Sequence, residues 1–202
     1  MNEIVPFREE IFHQINQILE NKKAFIFLWG KSGSGKSVLL QRLARQYKLD
    51  LTNEIFKDER QLKEKIDFLT SQGQKLILLD EVGMYDKAML ESIRIYSDTI
   101  SFVLSSHKNL KLFKKEHFKS RLSACFELKN ISLLELDDYI KLKFGMNFSS
   151  KALKFLQKIS KGNLRYIDKI LKSFCELNSF FDENKSREYI LKLSALENGL
   201  LR

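Results

Sequence analysis

Ile11, Phe12, Ile15, Ile18 and Leu19 fall on one helical stripe and predict an amphipathic helix over 9–20. Residues 24–29 break that period. Their unbroken, aromatic-rich apolar run reads as a strand buried on both faces, with Trp29 in the core. A glycine-rich turn follows. Val38, Leu39, Leu40, Leu43, Ala44 and Tyr47 then return to helical spacing over 37–47. A weak strand pattern covers 49–56. Leu62, Ile66 and Leu69 align on a helix over 58–71, with Gly73 as its stop. Residues 76–79 form a second apolar run, and Asp86 is placed to cap a helix reaching about Ser97. A third run covers 100–104, a short basic helix 116–123, and a last strand 125–131.

Strands alternating with helices imply a parallel sheet covered on both faces. Beyond 132 the alternation stops. Segments 134–144, 150–159, 164–177 and 185–197 all carry helical periodicity, and none reads as a strand. The expected organisation is an αβα core over 1–132 and a small all-helical unit over 133–202. No repeat or low-complexity linker separates them, and a single proline and eight glycines argue for a compact chain.

Composition narrows the class. At 202 residues and 44% hydrophobic, the chain supports a packed core and is not disordered. Cys125 and Cys175 exclude a disulfide scaffold and read as small buried apolar side chains. The three histidines stand far apart, so no zinc site is legible. No apolar run approaches the ~20 residues a membrane span needs. The first residues lack the basic start and apolar stretch of a secretory signal. A cytoplasmic protein is expected. The net charge of +9 is uneven. Residues 1–106 hold 15 basic and 15 acidic side chains, whereas 107–202 hold 20 and 11. That asymmetry suits a polyanionic partner, nucleic acid or an anionic membrane surface; a solvated lysine-rich face explains it equally well.

Two segments carry chemistry. Gly30-Lys31-Ser32-Gly33-Ser34-Gly35-Lys36-Ser37 fits G-x-x-x-x-G-K-[ST], between a buried strand and an amphipathic helix. Its glycines let backbone N–H groups turn toward phosphate oxygens, and the helix offers its positive end. Lys36 is placed for the β- and γ-phosphates, Ser37 for Mg²⁺, and Val38 extends the contact. The run Leu76-Ile77-Leu78-Leu79 ends in Asp80-Glu81. A parallel strand delivers such residues to the carboxyl edge of the sheet, where Asp80 would hold Mg²⁺ and Glu81 would polarise the attacking water. Taken alone, a carboxylate pair capping the next turn explains these residues equally well; beside the glycine loop, the functional reading is favoured.

Together these residues resemble the AAA+ ATPases, with the loop as Walker A and Asp80-Glu81 as Walker B. The match is to the compact core-plus-lid type of ExeA-like secretion ATPases and of origin-recognition and DnaA-type initiators. The resemblance implies further roles. Sensor 1, at the tip of the strand ending in Ser105-Ser106-His107, falls on Ser106 or His107, although the family more often has Asn, Thr or Asp there. That strand is expected between the two Walker strands. The arginine finger, which reaches a neighbouring subunit's nucleotide, falls on Arg121. Sensor 2 falls on Arg165 within Gly162-Asn163-Leu164-Arg165. The linker before the first helix places Val5 and Phe7 against the adenine, or as a hydrophobic staple for that helix.

The implied activity is Mg²⁺-dependent hydrolysis of ATP, with GTP left open. The implied setting is an accessory NTPase of a DNA-handling or secretion-like DNA-uptake apparatus. A nucleotide-gated adaptor with little turnover, a replication-initiator-like DNA-binding ATPase and a small-molecule kinase are the competing readings. Self-assembly would run through Arg121. Lys108, Lys111, Lys114 and Lys115 interleave with Leu110, Leu112, Phe113 and Phe118 and are expected on the nucleotide's edge of the sheet. There they would hold DNA phosphates without reading sequence, or touch an anionic membrane.

Overall fold

The computed structural model describes residues 8–52, 56–181 and 185–201. Helix α1 (Glu9–Asn21) leads into strand β1 (Phe25–Trp29), and helix α2 (Lys36–Tyr47) into β2 (Leu51–Thr52). Helix α3 (Glu59–Ser71) precedes β3 (Leu76–Leu79), and α4 (Lys87–Tyr96) precedes β4 (Ser101–Ser106). The short α5 (Glu116–Lys119) precedes β5 (Ala124–Glu127). The strands form one five-stranded sheet in the order β2-β3-β4-β1-β5, and every pairing is parallel. The strand carrying Ser106 thus lies between the strands that carry the glycine loop and Asp80, as expected.

Alternation along the strands builds the two faces. Phe25, Phe27, Ile77, Leu79, Phe102 and Leu104 pack with Leu62, Ile66, Leu69, Met89 and Ile93 of α3 and α4. Ile26, Leu28, Leu76, Leu78 and Val103 point the other way, onto Phe12 and Ile15 of α1 and Leu39, Leu40 and Leu43 of α2. Helix starts follow their capping residues. Asp58 accepts from the Gln61 N–H, and Asp86 from the Met89 N–H.

After β5 the chain is helical: α6 (Leu133–Phe144), α7 (Ser150–Ser160), α8 (Leu164–Phe180) and α9 (Arg187–Glu197). Ser132 and Glu135 form a reciprocal capping box at α6, and Gly145, at φ 64°, ends it. Leu136, Ile140, Leu156, Ile167, Leu171, Phe174 and Ile190 make a separate apolar cluster. Among the described residues no helix is long and apolar enough to cross a membrane.

Several expectations are corrected. Cys125 and Cys175 are exposed, not buried. β5 is one of the sheet's two edge strands and Cys125 lies on its exposed side; Cys175 lies on the exposed face of α8. Trp29 is only half-buried, at the end of β1. β5 ends at Glu127, short of the expected 131; the Leu128 N–H still donates to the Trp29 carbonyl at 2.7 Å as the last rung of the ladder. Segment 107–121 does not stay at the nucleotide's edge. Phe113 packs its ring against Phe25 and Phe27 at 5.8 and 4.4 Å, and Phe118 is fully buried. The segment therefore crosses the α3/α4 face and ends at the opposite, amino edge, where Ser123 donates its N–H to the Phe25 carbonyl at 2.8 Å.

Candidate nucleotide site

The loop between β1 and α2 is fixed by close backbone approaches. Gly30 donates its N–H to the Ser106 carbonyl at 3.2 Å, and a Cβ there would collide with the Leu128 carbonyl. Gly33 and Gly35 take φ of 78° and 95°, which favour glycine. Lys36 is only 4% exposed. Its Nζ donates to the carbonyls of Gly30 and Lys31, at 2.8 and 3.1 Å. Burial pushes its pKa down, while Glu81 and Asp80 oppose that shift and Arg165 adds to it. Helix α2 opens at Gly35 with no side-chain cap and no acid in its first turn. Its leading N–H groups are left to an anion. Ser34 adds a buried hydroxyl with no hydrogen-bond partner. These groups fit a polyphosphate.

Asp80 follows β3 and is 8% exposed. Its Oδ1 accepts from the Glu81 N–H at 2.9 Å and from the Ser105 hydroxyl. Glu81 sits at φ 53°, a left-handed conformation costing roughly 1–2 kcal/mol outside glycine. Its Oε2 lies 3.4 Å from Nδ1 of His107. The two sensor candidates thus part company. Ser106 is fully buried beneath the turn Val82–Met84, where a Cβ on Gly83 would strike its hydroxyl, whereas His107 is exposed beside Glu81. Ser105, which the sequence did not single out, makes the contact with Asp80. The register Leu79↔Leu104 is what brings the two together. Among the described residues no group of three or more metal-ligating side chains forms a closed metal site. Ser37 and Asp80 are hard oxygen donors that suit a Mg²⁺ shared with phosphates.

A cleft of about 130 Å³ joins the loop to the helical region. Ser32, Gly33, Gly35, Lys36, Ser37 and Val38 line it with Glu81; Tyr139, Lys143, Leu164, Arg165 and Asp168 face them. Arg165 lies in the first turn of α8, and its N–H donates to the Asn163 side chain at 2.9 Å. The turn 161–163 touches the loop directly. Leu164 donates its N–H to the Gly33 carbonyl at 2.9 Å, and a Cβ on Gly33 would collide with Asn163. Arg8 adds a second tie, to Glu135 at 2.7 Å and to the Lys129 carbonyl. Tyr139 donates to Asp168 at 2.7 Å, and Lys143 bonds both of them. Burial and Asp168 push the Tyr139 hydroxyl's pKa well up. This trio escaped the sequence reading, since nothing local marks it.

Arg121 lies apart from this cleft, at the amino edge. It bonds Asp98 through Nε and Nη2 at 2.9 and 3.3 Å, and the His117 carbonyl at 3.2 Å. The Asp98 hydrogen bond raises its pKa further. Lys108, Lys111, Lys114 and Lys115 are all exposed. Val5 and Phe7 lie outside the described residues.

No protein-family model and no curated protein sequence matches the chain. Solved structures do. The RuvB Holliday junction branch migration motor of Thermotoga maritima superposes with a TM-score of 0.72 at 17% identity, over 96% of this chain and 72% of that one. Aeropyrum pernix Orc1 in complex with DNA gives 0.66 at 14% identity, over 96% and 65%. Drosophila ORC bound to DNA gives 0.65 at 17%, over 96% and 61%. These neighbours are AAA+ P-loop ATPases, and the chain shares their fold: a five-stranded parallel sheet between helices, followed by a helical lid-like region.

Proposed function

We propose that the chain binds ATP with Mg²⁺ in the cleft between loop and lid and hydrolyses it. The observation that carries this reading is that Lys36, Glu81 and Arg165, far apart in sequence, line one cleft. Lys36 exchanges its two carbonyl partners for the β- and γ-phosphates. Ser37 and Asp80 hold Mg²⁺, which neutralises developing phosphate charge. Glu81 orients the attacking water once it is clear of His107, and Arg165 brings the lid's charge to the γ-phosphate. Arg121 is turned away from its own subunit's cleft, so it serves a neighbour's, as a rigid fork on spread phosphate charge. The contact between His107 and Glu81 favours one variant of this reading, an adaptor with slow turnover until a partner releases Glu81.

DNA is the proposed partner. RuvB's description as a branch migration motor and the DNA-bound Orc1 and ORC support it, together with exposed Lys108, Lys111, Lys114 and Lys115. Within that class, the sequence resemblance to ExeA-type ATPases offers a DNA-uptake apparatus as the setting. Phosphate release with and without duplex DNA tests the whole. Turnover stimulated by duplex fits the motor reading, and tight ATP binding with almost no turnover fits the adaptor. Lys36→Ala should lower ATP affinity ~10²-fold or more, since it removes charge-assisted contacts of about 1.5–3 kcal/mol each. Wild-type ATP affinity in Lys36→Ala would remove the loop from the site.

A further inference from the structure

The lysine excess of the second half is not confined to 108–121. Helix α7 carries Lys151, Lys154 and Lys158, and Lys161 follows at its C-cap. Spacings of three and four residues put these side chains on one helical face. All four are exposed, while Ala152, Leu153, Leu156 and Ser160 are buried on the other side. The helix contains no acidic residue. Lys151 reaches Glu188 at 3.1 Å; Lys154, Lys158 and Lys161 have no acidic partner among the described residues.

Helix α3 shows how the same chain treats an ordinary exposed face. There Arg60 pairs with Glu64 at 2.8 Å and Lys63 with Glu59 at 2.6 Å, each four residues apart. On α7 the residues four apart, Lys154 and Lys158, carry like charges and repel. Lys151 sits in the first turn, where the helix dipole disfavours a cation, and Glu188 answers it. The repulsion between Lys154 and Lys158 is left for an external anion to relieve.

We propose that the lysine face of α7 docks the phosphate backbone of duplex DNA. Lys154 to Lys161 span ~10 Å of helix axis, along which a duplex presents roughly six phosphates. Single strands are held by stacking on exposed aromatics, and α7 exposes none; Phe155 is half-buried in the lid. A helix that lies in a membrane interface buries exposed apolar side chains there, and no large hydrophobic residue of α7 is exposed. The surface is separate from the core lysines at 108–115. It is also joined to the cleft, because the turn after Lys161 leads straight to the bond between Leu164 and Gly33. Resting on the nucleotide reading above, DNA and ATP then shift each other's affinity by the same factor.

The test uses the full chain and a short fluorescent duplex of mixed sequence across a salt series. Lys154→Glu/Lys158→Glu/Lys161→Glu should weaken binding more than ~10-fold at low salt and flatten the slope of log affinity against log salt by about 2.7, three phosphates' worth. The corresponding arginine variant should bind like wild type. Should the glutamate variant fail to fold, the glutamine variant carries the same prediction with a smaller loss. Affinity and slope unchanged in the charge-reversed protein would overturn the proposal. So would loss of binding in the arginine variant, or retention on phosphatidylserine vesicles with none on duplex. Abolition of all duplex binding by Lys108→Glu/Lys111→Glu/Lys114→Glu/Lys115→Glu alone would overturn it as well. ATP binding is measured separately: its failure sinks the nucleotide reading and leaves the duplex result standing.

Discussion

The two edges of the sheet treat charge differently. At the carboxyl edge, Lys36 and Asp80 are buried, Glu81 has a left-handed backbone, and Ser34 keeps an unpartnered hydroxyl. At the amino edge, Arg121 and Asp98 satisfy each other on the surface. Parallel strands explain the contrast. Strand ends and helix N-termini converge on one edge, so unspent donors accumulate there, while the other edge receives helix C-termini and needs only surface pairs. One edge leaves polar groups unspent; the other pairs its charges on its own surface.

The sharpest way to break this contrast is to remove the amino-edge arginine. Arg121→Ala should lower turnover ~10³–10⁵-fold if it acts on a neighbour's nucleotide. Mixing it with Lys36→Ala should restore some activity, since each supplies what the other lacks. A wild-type rate per subunit that stays flat on dilution would confine all chemistry to the carboxyl edge.

Next comes Glu81→Gln, which keeps the shape and removes the base. ATP should still bind, with turnover down ~10²–10⁴-fold. Equal phosphate release by variant and wild type would take Glu81 out of the mechanism.

Gly33→Ala probes the tight approach of loop and turn. The left-handed φ alone costs about 1–2 kcal/mol, a Tm drop of roughly 2–8 °C, and collision with Asn163 adds to it. Asn163→Ala in the same protein should recover the collision's share and not the backbone's. A melt identical to wild type for Gly33→Ala would mean that the turn does not rest on the loop.

The smallest effect belongs to Asp98→Asn. An exposed ion pair contributes little, so the melting curve should not move. Freed of its partner, Arg121 should raise the rate per subunit a few-fold at protein concentrations below full assembly. No change in rate would mean that the pair does not hold the arginine back.

How much of this was legible follows from what is local. The glycine-rich loop and Asp80-Glu81 are each runs of consecutive residues, and their strands and helices announce themselves by period. Ser105 needed the register of β3 against β4, which no single strand encodes. Tyr139, Lys143 and Asp168 meet only because α6 packs on α8. Gly33 was legible as a glycine of the tight loop but not as the seat of Asn163. Segment 107–121 misled because Phe113 and Phe118 looked like interleaved aromatics of a basic surface; they are anchors that pull the chain across the sheet. Cys125 looked buried because alternation alone does not say that β5 is an edge strand.

The bond from Leu164 to Gly33 makes α8 a lever with its fulcrum at the loop. The helix is 17 residues, ~25 Å long. A tilt of about 5° at its first turn therefore carries its far end roughly 2 Å, given that length. Any rotation of that first turn against the loop is magnified along the helix, and a load applied to the far end of α8 returns to the loop as force on Gly33.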